Sequence, residues 1–334
     1  MHVMEPAGKP ESSQDAGRAP GMRPHQDARV PPGRPRPVVD LIRLVRPLHS
    51  AKALLAVPIV LIDVAPWTLA AVGRVAWAAL AFILASAAVY VGNDIADRDR
   101  DRHHPVKRHR PLAAGRVPVW GGYVYCGVLL ALLTVVIVVA ALPYWPLLAY
   151  LGLNLAYSRF LKHIPLIDLG AVAFGFVLRV LQGYLVLGER VEGWLLVAVF
   201  SLSLVLLVGK RRQELLDSGV MHRPALHGYS VELANWLLQI TSVFALVAGL
   251  MYIDTAAPFG PHYGQPAMVL STPPALFVLF RYLQIQLLGR GAGDPVRVLL
   301  RDRVIVVTSV VWAAGLGVTL LLARYPALTD AFQR

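Results

Sequence analysis

Residues 75–101 read VAWAALAFILASAAVYVGNDIADRDRD. From Val75 to Gly92 there is no Asp, Glu, Lys or Arg, and then Asn93, Asp94, Asp97, Asp99 and Asp101 arrive within nine positions. An uncharged apolar run of that length is what a helix needs to cross the ~30 Å hydrocarbon core of a bilayer. The spacing therefore predicts a membrane-spanning helix that delivers carboxylates where it meets water. If the helix continues past Val91, Asp94, Asp97 and Asp101 fall at i, i+3 and i+7, with Asn93 four residues before Asp97. These four share one face, and Asp99 points away.

Three like charges on one face repel each other. Each costs about 2.5–3.5 kcal/mol at mid-bilayer and less at the edge. They need compensating cations. Mg²⁺ is suited to the task because it takes oxygen ligands and is typically held by one or two carboxylates plus substrate phosphates. The other reading is a cytosolic loop in which Asp99 and its neighbours pair with Arg98, Arg100 and Arg102, and for Asp99 that reading is the better one. His103-His104-Pro105-Val106-Lys107-Arg108-His109-Arg110-Pro111 follows directly. Lys107, Arg108 and Arg110 can take phosphate oxygens, Arg by bidentate contact and Lys as a point charge. Each equally satisfies the demand for positive charge on the cytosolic side of a span. The histidines have no metal-binding spacing.

Composition sets the class. Of 334 residues, 56% are hydrophobic and 16% are charged, with a net charge of +12; a charged fraction so far below the roughly 25% of soluble domains excludes an ordinary soluble fold. The expectation is an all-α polytopic membrane protein with about nine transmembrane helices around a central cavity. The spans are read at 52–66, 74–92, 119–141, 144–161, 166–187, 193–209, 233–253, 266–287 and 304–323. Prolines 58, 143, 146, 165, 273 and 274 mark kinks or ends. With the N-terminus in the cytosol, 25 Lys and Arg fall inside and four outside, a strong positive-inside bias that requires an odd number of spans. A multi-pass plasma-membrane protein with its polar motifs facing the cytosol follows. Residues 1–37, rich in Pro and Arg, read as a disordered cytosolic tail without a signal peptide. Residues 38–323 form the membrane domain, and 324–334 a short tail. The single Cys126 excludes an internal disulfide. The basic residues follow topology and lack an interleaved stacking platform, which argues against nucleic-acid binding.

The string Asn-Asp-x-x-Asp-x-x-x-Asp-x-x-His-Pro-x-Lys-Arg-x-Arg-Pro at 93–111 resembles the first signature of the UbiA superfamily of intramembrane prenyltransferases. In detail it is similar to the branch of decaprenyl-phosphate phosphoribosyltransferases. The resemblance continues through Ala113-Ala114-Gly115, Ala156-Tyr157-Ser158, Leu161-Lys162-His163 with Asp168, Gly175-Phe176-Val177-Leu178-Arg179, Gly209-Lys210-Arg211 with Glu214, Arg281-Tyr282, and Leu300-Arg301-Asp302-Arg303. It implies nine helices around a cavity whose two polar motifs face each other at the cytosolic mouth. It also implies a Mg²⁺-dependent transfer of 5-phosphoribose from phosphoribosyl pyrophosphate to a polyprenyl phosphate in the bilayer, serving cell-envelope polysaccharide precursors. By the same resemblance, Asn93, Asp94, Asp97 and Asp101 hold the metal, Lys162 and Asp168 form the second motif, and Lys210 and Arg211 join a phosphate clamp. Asp168 is followed four residues on by Val172 where prenyltransferases carry a second carboxylate. Gln182-Gly183-Tyr184 stands where small residues are expected, and Arg212 where an aromatic is expected.

Asp168 can hold a metal, orient Lys162 or contact ribose; it can equally be a helix N-cap or an ion-pair partner of Lys162. Arg179 lies eleven residues, about three turns, after Asp168. An arginine that deep needs a partner or a wet cavity, and lining the cavity is the reading favoured here. Tyr157 joins the substrate-binding set, with an interfacial aromatic as its alternative. Two other functions fit the pattern less well. One is a prenyltransferase moving a polyprenyl group from its diphosphate to an aromatic or other acceptor. The other is a transporter, which the gathering of ionisable residues at one membrane edge disfavours.

Overall fold

The computed structural model describes residues 37–47, 57–63, 68–104, 106–218, 224–288 and 299–324. Among them there are helices and short 3-10 turns and no strand. The helices are α1 (Pro37–Val45), α2 (Val60–Asp63), α3 (Leu69–Ala96), α4 (Arg98–Arg102), α5 (Val119–Val139), α6 (Trp145–Arg159), α7 (Ile167–Leu187), α8 (Gly193–Ser218), α9 (Val231–Thr255), α10 (Gly260–Leu287) and α11 (Arg303–Arg324). Seven of these are long and apolar enough to cross a membrane. With no water available in lipid, each must satisfy its own backbone, which is why helices carry the spans. α6 has 15 residues, about 22 Å of rise, and is short for a span. The span expected at 52–66 lies largely outside the described residues, as does the tail before Pro37.

Local chemistry sets the ends. Thr68 accepts a hydrogen bond from the Ala71 N–H at 3.1 Å to start α3. Ser230 does the same for Leu233 at 2.9 Å to start α9. Pro146 sits in the first turn of α6, where its missing N–H costs nothing. Gly188, at φ +74°, ends α7. Asp302 caps α11 through the Ile305 N–H at 3.0 Å. It also accepts from Arg281 at 2.9 Å, and those bonds hold its carboxyl below the usual range.

Several boundaries differ from the sequence expectation: α3 begins at Leu69 and not 74, α10 at Gly260 and not 266, and α8 runs longer. The span expected to stop at 209 continues to Ser218. Arg211 and Arg212 turn inward to protein partners, so the charges do not end the helix. Arg212 donates to Asn235 on α9 at 2.6 Å and to the Gln286 carbonyl at the end of α10 at 2.6 Å. The residue that stands in place of an aromatic is thus a helix-end cap. Pro273 and Pro274, expected to mark a kink or an end, lie within α10 without ending it.

α3 and α7 are the central helices. More than half of each central window is buried, 56% and 61%, against 11% and 6% for α10 and α11. α3 packs against α5, α6 and α7, and from α7 onward each helix packs on the one before. Val307, Val310 and Val311 on α11 are exposed, as befits a lipid-facing surface. α1 lies against α3 through buried Leu44, with Val38 and Ile42 exposed on its other side.

The chain brings the C-terminal ends of α3, α6, α8 and α10 together with the N-terminal ends of α7, α9 and α11. At the opposite end, Tyr184 of α7 and Tyr252 of α9 both donate to the Asp63 carboxylate. There Gly183 passes so close to the segment before α2 that a Cβ would come within 2.1 Å of the Val57 carbonyl oxygen. Gly183→Ala is therefore expected to force the two segments apart and destabilise the protein by about 1–3 kcal/mol, read as a lowered thermal unfolding midpoint in detergent.

Candidate active site

The helical geometry carries past the end of α3. Asp97 N bonds to the Asn93 carbonyl at 2.9 Å and Asp101 N to the Asp97 carbonyl at 2.8 Å. The aspartates therefore stay on successive turns although α3 formally ends at Ala96. Asp94 and Asp101 are each 3% exposed. Arg110 lies between them, its Nη1 at 3.1 Å from Asp94 Oδ1 and 2.6 Å from Asp101 Oδ2. Arg46, from the segment after α1, also donates to Asp94 Oδ1 and stacks over the Tyr90 ring at 5.1 Å. Its backbone sits at φ +48°, a conformation that costs about 1–3 kcal/mol in a residue other than glycine. Asp97 accepts from Lys162 Nζ at 3.1 Å. Asn93 accepts from the Ser158 hydroxyl of α6. Asp99 is 80% exposed in its side chain, outside the group.

Asp168 forms a second centre. It is fully buried at the start of α7 and is bound on both oxygens. Arg211 of α8 contacts Oδ2 at 3.0–3.1 Å, and the Tyr229 hydroxyl donates to Oδ1 at 2.7 Å. Arg211 also donates to Glu214 at 2.7 Å, and Tyr157 lies near the same guanidinium. Tyr229 accepts from the Leu166 N–H at 2.7 Å, fixing that residue at φ +67°. Burial, then the bond to Asp168, raises the Tyr229 phenol above its ordinary range, so it remains a donor. The sequence alternative pairing Asp168 with Lys162 is corrected here: Lys162 goes to Asp97, and Asp168 to Arg211.

Other expected residues are distributed unevenly. Lys107 and Arg108 are exposed on the turn after α4, with Arg108 Nε donating to His109 at 3.4 Å. Lys210 is exposed on α8 and, among the described residues, does not join the groups around Asp94 or Asp168. Arg211, one residue and 100° of helix further on, makes the contacts to Asp168 and Glu214. Arg179 is 7% exposed. It donates to the Gly175 carbonyl at 2.7 Å, Tyr150 at 2.9 Å and Ser86 at 3.3 Å, so it is packed among neutral groups. Arg46 and Tyr229 were not anticipated. Arg46 stands in a basic juxtamembrane string that topology alone explains, and no spacing links Tyr229 to Asp168.

The donor set fits a hard divalent cation. Asp94 and Asp101 each commit one oxygen to arginine, and the second has no side-chain partner among the described residues. No three His, Cys, Asp or Glu side chains among the described residues form a cage by themselves. Oxygen ligands of this kind suit a hard divalent cation that completes its coordination with phosphate oxygens and water. The five carboxylates Asp94, Asp97, Asp101, Asp168 and Glu214 face the five cations Arg46, Arg100, Arg110, Lys162 and Arg211. These pairs balance one another, and the excess of Lys and Arg on the same side of the bundle is left to meet a polyanionic ligand.

The UbiA prenyltransferase family profile matches residues 55–300. The chain belongs to the UbiA prenyltransferase family. It is a multi-pass integral membrane protein and a transferase by family. It is 32% identical over 254 residues to the decaprenyl-phosphate phosphoribosyltransferase of Mycobacterium tuberculosis, covering 73% of this chain and 80% of that one. The protein of the same name from Corynebacterium glutamicum is 32% identical over 295 residues, covering 83% and 86%. A UbiA homolog from Archaeoglobus fulgidus, solved bound to GPP and Mg²⁺, has the same fold with a TM-score of 0.61 at 21% identity, covering 84% of this chain and 99% of that one.

Two substitutions separate the two centres from their surroundings. Tyr229→Phe leaves the Leu166 N–H and one Asp168 oxygen without their partner, a loss of about 1–3 kcal/mol, to be read by thermal unfolding. Lys210→Ala, at an exposed position, is expected to change stability by no more than about 0.5 kcal/mol, read by the same measurement.

Proposed function

We propose that the chain transfers 5-phosphoribose from phosphoribosyl pyrophosphate to a polyprenyl phosphate of the decaprenyl type and releases pyrophosphate. We place the reaction at the cytosolic face of a nine-span bundle in the plasma membrane, with residues 1–37 and 324–334 as tails. The product class suits the synthesis of cell-envelope polysaccharide precursors. The observation that carries the reading is Asp168: fully buried, held by Arg211 and Tyr229, with Val172 where a second carboxylate would complete a two-cluster diphosphate site. The names of the relatives support the same choice.

The chemistry asks for cations more than for a base. The bond from C1 of the sugar to pyrophosphate breaks, its electrons leaving with the pyrophosphate. A bond forms from an oxygen of the acceptor phosphate to C1. That oxygen is already anionic, so no proton need be removed. Asp94, Asp97, Asp101 and the Asn93 amide would hold Mg²⁺, which when bound neutralises charge on the leaving group. Lys162, Arg110 and Arg46, now engaged with those aspartates, are positioned to exchange a carboxylate for a phosphate oxygen. In a low-dielectric rim such contacts act more strongly than in water. The Asp168–Arg211–Glu214 group fixes the opposite wall and keeps Arg211 oriented, while Lys107 and Arg108 draw the anionic donor toward the mouth.

The deciding assay gives purified protein labelled phosphoribosyl pyrophosphate and a panel of polyprenyl phosphates. Lipid-linked phosphoribose should form, disappear with EDTA and return with Mg²⁺. Asp94→Asn and Asp97→Asn should each lower turnover at least about a hundredfold, the scale of lost transition-state electrostatics, with normal membrane insertion. Product formed instead from a polyprenyl diphosphate and an aromatic acceptor would replace this reading with prenyl transfer.

A further inference from the structure

Three helices carry polar side chains inward from the rim. On α3, Ser86, Tyr90 and Asp94 recur every four residues; on α6, Tyr150, Asn154 and Ser158 do the same. Both helices run toward the rim, and they are in register. Ser86 lies 3.2 Å from Tyr150 at the inner end, and Asn93 meets Ser158 at the outer end. α7 runs the opposite way and brings Arg179 to the inner end, against Ser86 and Tyr150. Ser86 precedes Asp94 by eight residues, about 12 Å along the helix. A cavity that held only a hydrocarbon chain would have no use for a charge at that depth.

Among the described residues, every partner of the Arg179 guanidinium is neutral. Its Cζ lies 4.7 Å from the Tyr150 ring centre, 5.2 Å from Phe176 and 5.6 Å from Phe82. Such a cage stabilises a cation without neutralising it. Nε has no hydrogen-bond partner among the described residues. Ser86 and Tyr150 both accept from Nη2. At most one of them can donate to the other, so a hydroxyl proton is also left over. The group therefore carries net positive charge and surplus donors. Gln182, one turn further along α7, is fully buried, and neither amide atom has a partner among the described residues.

Building on the phosphoribosyl-transfer reading, we propose that Arg179, Tyr150 and Ser86 form the binding site for the phosphate monoester of the lipid acceptor. The donor's pyrophosphate belongs at the rim with the aspartates and Lys162. The attacking phosphate must lie on the other side of C1, which is the inward side. A lipid phosphate reaches that side without its chain leaving the bilayer. A charged, caged guanidinium with surplus N–H and O–H donors is the group that would draw it there and orient it.

The test measures binding as well as turnover, using full-length protein in nanodiscs. Without donor, the wild type should bind a polyprenyl phosphate at least about tenfold more tightly than the matching polyprenol, and Arg179→Gln should reduce that preference to about twofold or less. In assays, Arg179→Gln should raise KM for the lipid phosphate at least about tenfold and leave KM for phosphoribosyl pyrophosphate within about twofold. Arg179→Lys should recover part of the loss. Tyr150→Phe, which keeps the ring and removes the hydroxyl, should lower the preference several-fold; it carries the test if Arg179→Gln does not fold. An unchanged preference in both variants overturns the proposal. So does a rise in donor KM alone, which would assign the guanidinium to the 5-phosphate of the donor. A wild type that forms no phosphoribosyl lipid overturns the proposed reaction, whereas the phosphate-over-alcohol preference and its dependence on Arg179 are read without turnover.

Discussion

Fixed charges at the edge of a low-dielectric slab must be neutralised where they stand. At the rim of this bundle that requirement shapes the fold. Asp94 and Asp101 cannot both be buried a helical turn or two apart unless a cation lies between them, and Arg110 does. Arg46 brings the segment after α1 onto α3, and Lys162 brings the α6–α7 turn onto the same cluster. Arg116 ties the loop after α4 back to Asp40 of α1 at 3.0 Å. Removing one partner from such a buried pair is worth about 3–5 kcal/mol. The ion pairs that could meet substrate are thus also the ones that close the rim.

The two ends of the bundle solve different problems. At the far end one carboxylate, Asp63, receives two phenols and draws α2, α7 and α9 together. At the rim, cations outnumber phenols and the pairs are exchangeable. An incoming phosphate can take the place of a carboxylate on the same guanidinium or ammonium, whereas a phenol–carboxylate clamp offers no such exchange. Asp168 is the exception at the rim: both of its oxygens are bound, by Arg211 and Tyr229.

The departures from the family pattern have separate explanations. Val172 leaves the second motif with one carboxylate, which matches the absence of a second open acidic cluster around Asp168 among the described residues. Arg212, in place of an aromatic, satisfies carbonyls at the end of α10 and leaves the site unchanged. Gly183, within the altered Gln182-Gly183-Tyr184 string, is where α7 touches the segment before α2, and Tyr184 is one arm of the far-end clamp.

The sequence by itself determined the class of the protein and the ends of most spans. Hydropathy over some twenty residues measures the cost of leaving water, and that cost is local to the chain. It also placed Asn93, Asp94, Asp97 and Asp101 on one face, because helical spacing is local too. Tertiary structure alone decided which cation meets which carboxylate. Lys162 went to Asp97 and Arg211 to Asp168, while Arg46 entered from 48 residues away. Ion pairing depends on distance in space between helices, and nothing in the order of residues along one helix fixes the rotation of its neighbour.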